Sequence, residues 1–112
     1  MFAINLGGEG EIPGVLNQQR PFCLTPAWLS LRGETIAQMT ARGIPVLICP
    51  NDALALPDES VDVVYTNSVP INTNHSFYGL GVQRSEIMRI LKSGGTWIDT
   101  DSNGLVVIWV KP

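Results

Sequence analysis

Charge is scarce in this sequence. Asp, Glu, Lys and Arg make up 15% of its 112 residues, against about 25% in an ordinary soluble domain. The seven basic residues are scattered from Arg20 to Lys111, and the net charge is −3. Nucleic-acid binding by phosphate neutralisation needs several neighbouring cations, so that class is excluded. Histidine is nearly absent, with His75 alone. The two cysteines, Cys23 and Cys49, stand in no CxxC or other metal-ligand spacing. They read as reduced thiols of a cytoplasmic protein with no metal site. No apolar run reaches the ~18 residues of a membrane span, and the N-terminus lacks the basic and apolar regions of a signal peptide. No membrane contact is expected.

What is present is apolar and full of turns: 45% hydrophobic residues, 11 Gly and 8 Pro. The length fits one domain over residues 1–112. With so little charge to clothe the surface, part of it is expected to lie under a ligand or a second copy of the chain. Phe2–Leu6 reads as a strand running into Gly7-Gly8-Glu9-Gly10, and Val15–Asn17 as a second short strand. Thr25-Pro26 has the form of a helix N-cap and first turn, which predicts a helix over Thr25–Arg42, in two pieces if Gly33 breaks it. Ile44–Cys49 is a continuous apolar run rich in β-branched residues and Val61–Asn67 is mostly apolar, neither with clear alternation, as in strands covered on both faces. A second helix is predicted over Phe77–Lys92, clearest from Arg84, with Glu86 and Arg89 at i,i+3 spacing and Lys92-Ser93-Gly94-Gly95 as a basic last turn and glycine stop. Thr96–Thr100 and Leu105–Val110 flank an Asn103-Gly104 turn, a candidate hairpin. The fold class is therefore α/β: three Rossmann-like layers around a mainly parallel sheet of about five strands, with an antiparallel C-terminal hairpin.

Two stretches are more specific. Asn51-Asp52-Ala53-Leu54-Ala55-Leu56-Pro57-Asp58-Glu59-Ser60-Val61-Asp62-Val63-Val64-Tyr65-Thr66-Asn67 resembles the middle of class I S-adenosylmethionine-dependent methyltransferases, and so does Glu86-Ile87-Met88-Arg89-Ile90-Leu91-Lys92-Ser93-Gly94-Gly95-Thr96, where Ser93 replaces the usual Pro. The resemblance covers about half the chain, from Pro45 to Thr100. It implies a cofactor site for S-adenosylmethionine beyond the carboxyl ends of the strands. The implied glycine loop is Gly7, Gly8 and Gly10. Asn17 is the nearest residue to the ribose-binding position, Asp52 with Ala53 would meet the adenine, and Asn67 would lie near the transferred methyl. Asn5, Glu9 and Glu11 depart from the family's acidic and glycine positions. With only Lys111 and Pro112 beyond Val110, a pared-down version of the fold is expected.

Two functions follow. One is an S-adenosylmethionine-binding methyltransferase of unknown acceptor. Methyl transfer asks the protein mainly to position two reactants, so the lack of a catalytic triad does not count against it. Asn67 and His75 are its candidate catalytic residues. The other is a non-catalytic module for protein interaction or self-assembly. Leu105–Val110 carries no charge, and with Val15–Asn17 it is expected to form a sheet edge. A homodimer that covers the apolar edge is the favoured assembly. Asp62 reads as a structural residue, and Trp28, Trp97 and Trp109 as core or interface.

Overall fold

The computed structural model describes residues 1–72 and 81–112. Six segments form one sheet: β1 (Ala3–Leu6), β2 (Leu16–Gln19), β3 (Val46–Ile48), β4 (Val61–Asn67), β7 (Leu91–Thr100) and β8 (Val106–Val110), in the order β3-β2-β1-β4-β7-β8. β5 (Ile71–Asn72) and β6 (Val82–Gln83) form a separate parallel pair. All neighbours in the large sheet are parallel except β7 and β8, which make the expected antiparallel hairpin. The architecture is the Rossmann-like α/β fold, with one strand more in the main sheet than the sequence suggested.

Period-two alternation divides the core between the two sheet faces. On one face, Ile4, Leu6, Val64 and Trp97 pack against Ile87 and Ile90 of α2 (Arg84–Ile90), with Leu16, Leu47 and Trp109 at the margin. On the other, Val46 and Ile48 pack against Ile36 and Met39 of α1 (Ile36–Ala41), with Cys23 and Trp28. α1 covers only the β2–β3 end of its face. Nine residues join β1 to β2, fewer than the dozen or so that a helical crossover uses. Ala3, Val63, Tyr65 and Ile98 are therefore only half-buried on that side, and Val106, Ile108 and Val110 of β8 are exposed.

Three expectations are corrected. The helix over Thr25–Arg42 shrinks to Ile36–Ala41. Thr25 ends a single 3-10 turn at Pro21–Leu24 instead of starting a helix, its N–H and hydroxyl both donating to the Phe22 carbonyl. Gly33, at φ +79°, closes a turn in which the Ser30 N–H donates to the Glu34 carbonyl. The true N-cap is Thr35, in a reciprocal capping box with Gln38, a Thr-x-x-Gln signal that the sequence carried. Of the second helix, Arg84–Ile90 is helical, and Phe77 to Leu80 lie outside the described residues. Lys92–Gly95 is not its last turn: the chain becomes extended at Leu91, and these residues form a bulge in β7, between the pairs Leu91–Val61 and Thr96–Val63. A Cβ on Gly95 would lie 2.8 Å from the Lys92 carbonyl oxygen, so the bulge needs glycine there. Finally, β8 is a sheet edge as expected, but the opposite edge is β3, and the Val15–Asn17 region lies inside.

Candidate functional site

β1 is where the chain's direction of travel through the sheet reverses, since β2 and β3 lie to one side of it and β4 and β7 to the other. Loops leaving such neighbours diverge and open a crevice at the carboxyl edge. A cavity of about 280 Å³ lies there, near the lower bound for small-ligand sites. Gly7 follows β1, Gln18, Gln19 and Arg20 end β2, Asn51 follows β3, and Asn67, Ser68, Val69 and Pro70 end β4. Cys23, Trp28 and Leu31 close the outer side, and Glu9 and Glu11 complete the lining.

Every amide of the glycine loop is bonded within the protein. The Gly7 N–H donates to Gln18 Oε1 at 3.0 Å, Gly8 to the Asn5 carbonyl at 3.1 Å, Glu9 to Glu11 Oε1 at 2.9 Å and Gly10 to Asn17 Oδ1 at 3.1 Å. No N–H remains for a phosphate, and two carboxylates stand nearby, so the loop is not built as an anion site. Glu9 ties the loop outward, its Oε1 accepting from the Leu31 N–H at 2.9 Å. Asn5 donates through Nδ2 to Glu11. An acid in its place would set two carboxylates against each other, a physical reason for the amide here.

Of the residues singled out in the sequence, Gly7 and Asn67 line the cavity. Gly8, Gly10 and Asn17 are not among its lining residues. Asn17 is buried, and its Nδ2 donates to the Val15 and Pro45 carbonyls, so its side chain is committed to holding the loop. Asp52 and Ala53 are exposed on the turn after β3, next to the cavity-lining Asn51. His75 lies outside the described residues.

Gln18, Gln19, Arg20, Asn51 and Ser68 were missed by sequence reasoning. Gln18 donates to the Cys49 carbonyl and to Asn51 Oδ1, and Gln19 donates to the Gly8 carbonyl at 2.8 Å. The signal was available: Asn17-Gln18-Gln19 is a run of amides inside a strand, and buried polar groups are there to bond something. Ser68 adopts φ +54°, a left-handed conformation costing a non-glycine residue about 1 kcal/mol, at the cavity wall. The Cys23 thiol donates to Gln19 Oε1 at 3.2 Å, and burial pushes its pKa above the ordinary thiol value against the opposing pull of Arg20. It is kept as a thiol, not presented as a nucleophile. Among the described residues no cluster of His, Cys, Asp or Glu has the makings of a metal site, and no helix is long and apolar enough to cross a membrane.

No protein-family model matches the sequence, and neither does any curated protein sequence. Solved structures do match the fold. One is a chain of the complex between the Haloferax volcanii Trm112 methyltransferase activator and a proposed methyltransferase, at 21% identity and a TM-score of 0.53, covering 88% of this chain and 43% of that one. Another is the PH0226 protein from Pyrococcus horikoshii OT3, at 18% identity and TM-score 0.52, with 87% and 47% covered. A third is the S-adenosylmethionine-dependent methyltransferase from Mesorhizobium loti, at 16% identity and TM-score 0.51, with 98% and 57% covered. At these identities the likeness is one of fold. The chain spans about half the length of the structures it matches.

Proposed function

We propose that this domain binds S-adenosylmethionine in the cavity at the carboxyl edge of β1, β2 and β4, as a methyltransferase-like protein. The observation that carries the reading is the chemistry of the cavity. Its loop amides are all internally bonded, and its lining carries two carboxylates, Glu9 and Glu11, against one cation, Arg20, with the neutral amides of Gln18, Gln19, Asn51 and Asn67. Such a site disfavours a nucleotide phosphate and suits a ligand carrying a sulfonium and an ammonium. The ligand supplies the electrophilic methyl. Gly7 and Asn67 would line its seat, Gly8, Gly10 and Asn17 would hold the loop beneath it, and Asp52 and Ala53 would meet its adenine from the turn beside Asn51. Calorimetric titration with S-adenosylmethionine and with its demethylated product is the test. Binding is expected, and Asp52→Ala is expected to weaken it by about 1–3 kcal/mol through loss of an acceptor for the adenine amine. No heat with either compound would remove the reading, and unchanged affinity in the variant would remove Asp52 from the site.

The second reading, an assembly module, is favoured by the uncovered sheet face. Ala3, Val63, Tyr65, Thr96, Ile98, Val106, Ile108 and Val110 share it by register and include no charge. An uncharged face is compatible with its own copy across a two-fold axis. Four strands about 4.8 Å apart and about 17 Å of strand length give about 330 Å² per copy, less than a stable dimer buries, so such a contact would also draw in the flanking loops. Sedimentation at micromolar concentration should show a dimer that Ile108→Lys splits into folded monomers. A monomeric wild type would end this reading.

A further inference from the structure

A second cavity, of about 240 Å³, opens on the other side of the sheet between α2 and the β7–β8 hairpin, lined by Arg84, Trp97, Asp99, Val107 and Trp109. We propose that this slot binds a small zwitterion with an aromatic or other apolar body. The observation behind it is a pair of opposite charges on the walls of one indole-lined slot that are not bonded to each other. Arg84 forms no ion pair among the described residues, and its guanidinium sits 5.9 Å from the centre of the Trp109 ring, which orients it without neutralising it.

Asp99 is held from behind. The Trp97 indole N–H donates to Thr66 Oγ1 at 2.9 Å, and Thr66 donates to Asp99 Oδ1 at 2.6 Å. Indole is a donor only, so the Thr66 hydroxyl must pass its one proton toward the carboxylate. This fixes one Asp99 oxygen and leaves the other as an acceptor. A lone cation in the slot would gain Asp99 but face Arg84, and a lone anion would gain Arg84 but face Asp99. A ligand bearing both charges satisfies both walls while its body lies along the indoles. Asp99 also lines a neighbouring depression with Ser68, Val69 and Pro70, residues shared with the first cavity, so the two sites adjoin along the same rim. A role for the slot as the seat of the methyl acceptor rests on the function proposed above; ligand binding in it does not.

The probe is L-phenylalanine, with benzylamine and phenylacetate as compounds carrying one charge each. The reporter is tryptophan fluorescence in a Trp28→Phe background, where only Trp97 and Trp109 remain. Phenylalanine is expected to perturb the emission saturably at millimolar concentration, and each single-charge compound to bind about tenfold more weakly. Arg84→Ala and Asp99→Asn should each cost phenylalanine about tenfold in affinity, and Asp99→Asn should leave phenylacetate binding undiminished. Absence of any saturable change with phenylalanine, or equal binding by all three compounds, overturns the proposal. Phenylalanine binding to a protein that ignores S-adenosylmethionine keeps the slot and removes the proposed function. The converse result keeps the function and removes the slot.

Discussion

Gly8→Ala is expected to lower the unfolding free energy by about 3 kcal/mol, the upper range for inserting a methyl into a packed site. A Cβ on Gly8 would lie 2.3 Å from Asn17 Oδ1 and 2.6 Å from Asn5 Cγ. Neither side chain is free to yield. Asn17 is 1% exposed and bonded to Gly10, Val15 and Pro45, and Asn5 is fully buried and bonded to Glu11. Moving either one breaks bonds that hold the whole glycine loop. Gly14 provides the contrast: nothing lies within 4 Å of its added Cβ, but it sits at φ +77°. Gly14→Ala should therefore cost only about 1 kcal/mol, for backbone conformation alone. Urea denaturation of both variants measures the difference, and equal costs would show that the loop is not packed as described.

Arg89→Ala is expected to cost a further large amount, about 3 kcal/mol. All five guanidinium N–H groups are used. Nε and Nη2 donate to Glu86 at 2.9 and 3.0 Å, Nη1 to the Leu56 carbonyl at 2.8 Å and Asp58 at 2.9 Å, and Nη2 also to the Leu54 carbonyl at 2.9 Å. One side chain thus pins the crossover between β3 and β4 to α2. A Lys ammonium cannot reproduce this fork, so Arg89→Lys should recover less than half of the loss. The pair also sets a pH dependence. Hydrogen bonding by Arg89, with the Leu54 N–H adding to it, holds the Glu86 carboxyl below its ordinary value of 4.5 against the effect of burial. Its contribution to stability is therefore complete above about pH 4.5 and is lost as pH falls through the lower folded value. Asp62 is lowered in the same sense, first by the Phe2 N–H. In Arg89→Ala the acid limb of the stability profile should be shallower, and an unchanged limb would show that Glu86 does not depend on Arg89.

Strands were legible where packing and sequence agree. Val61–Asn67 is a strand along its whole expected length because it is central in the sheet, paired with β1 on one side and β7 on the other. Ile44–Cys49 narrows to Val46–Ile48 because it lies at the edge, with a single neighbour, and Pro45 has no N–H to offer. Thr25-Pro26 and Lys92–Gly95 misled because both carry helix-end chemistry that turns and bulges use equally well. The Glu86–Arg89 pair was visible as local spacing, but its bonds to Leu54, Leu56 and Asp58 span more than thirty residues and no local pattern announces them. At the cavity, Gly7 and Asn67 followed from their places after strands. The amides of Gln18 and Gln19 did not, because their role is to satisfy loop groups that become neighbours only when the sheet forms.

If S-adenosylmethionine binds as proposed, its seat is the carboxyl edge of β1, β2 and β4. Backbone amide NMR during titration with S-adenosylmethionine is the direct test. Saturable shifts are expected at cavity-lining residues, Gly7, Gln19, Asn67 and Ser68 among them, with little change along β8. No shifts at all, or shifts centred on β8 with those four residues unmoved, would contradict it.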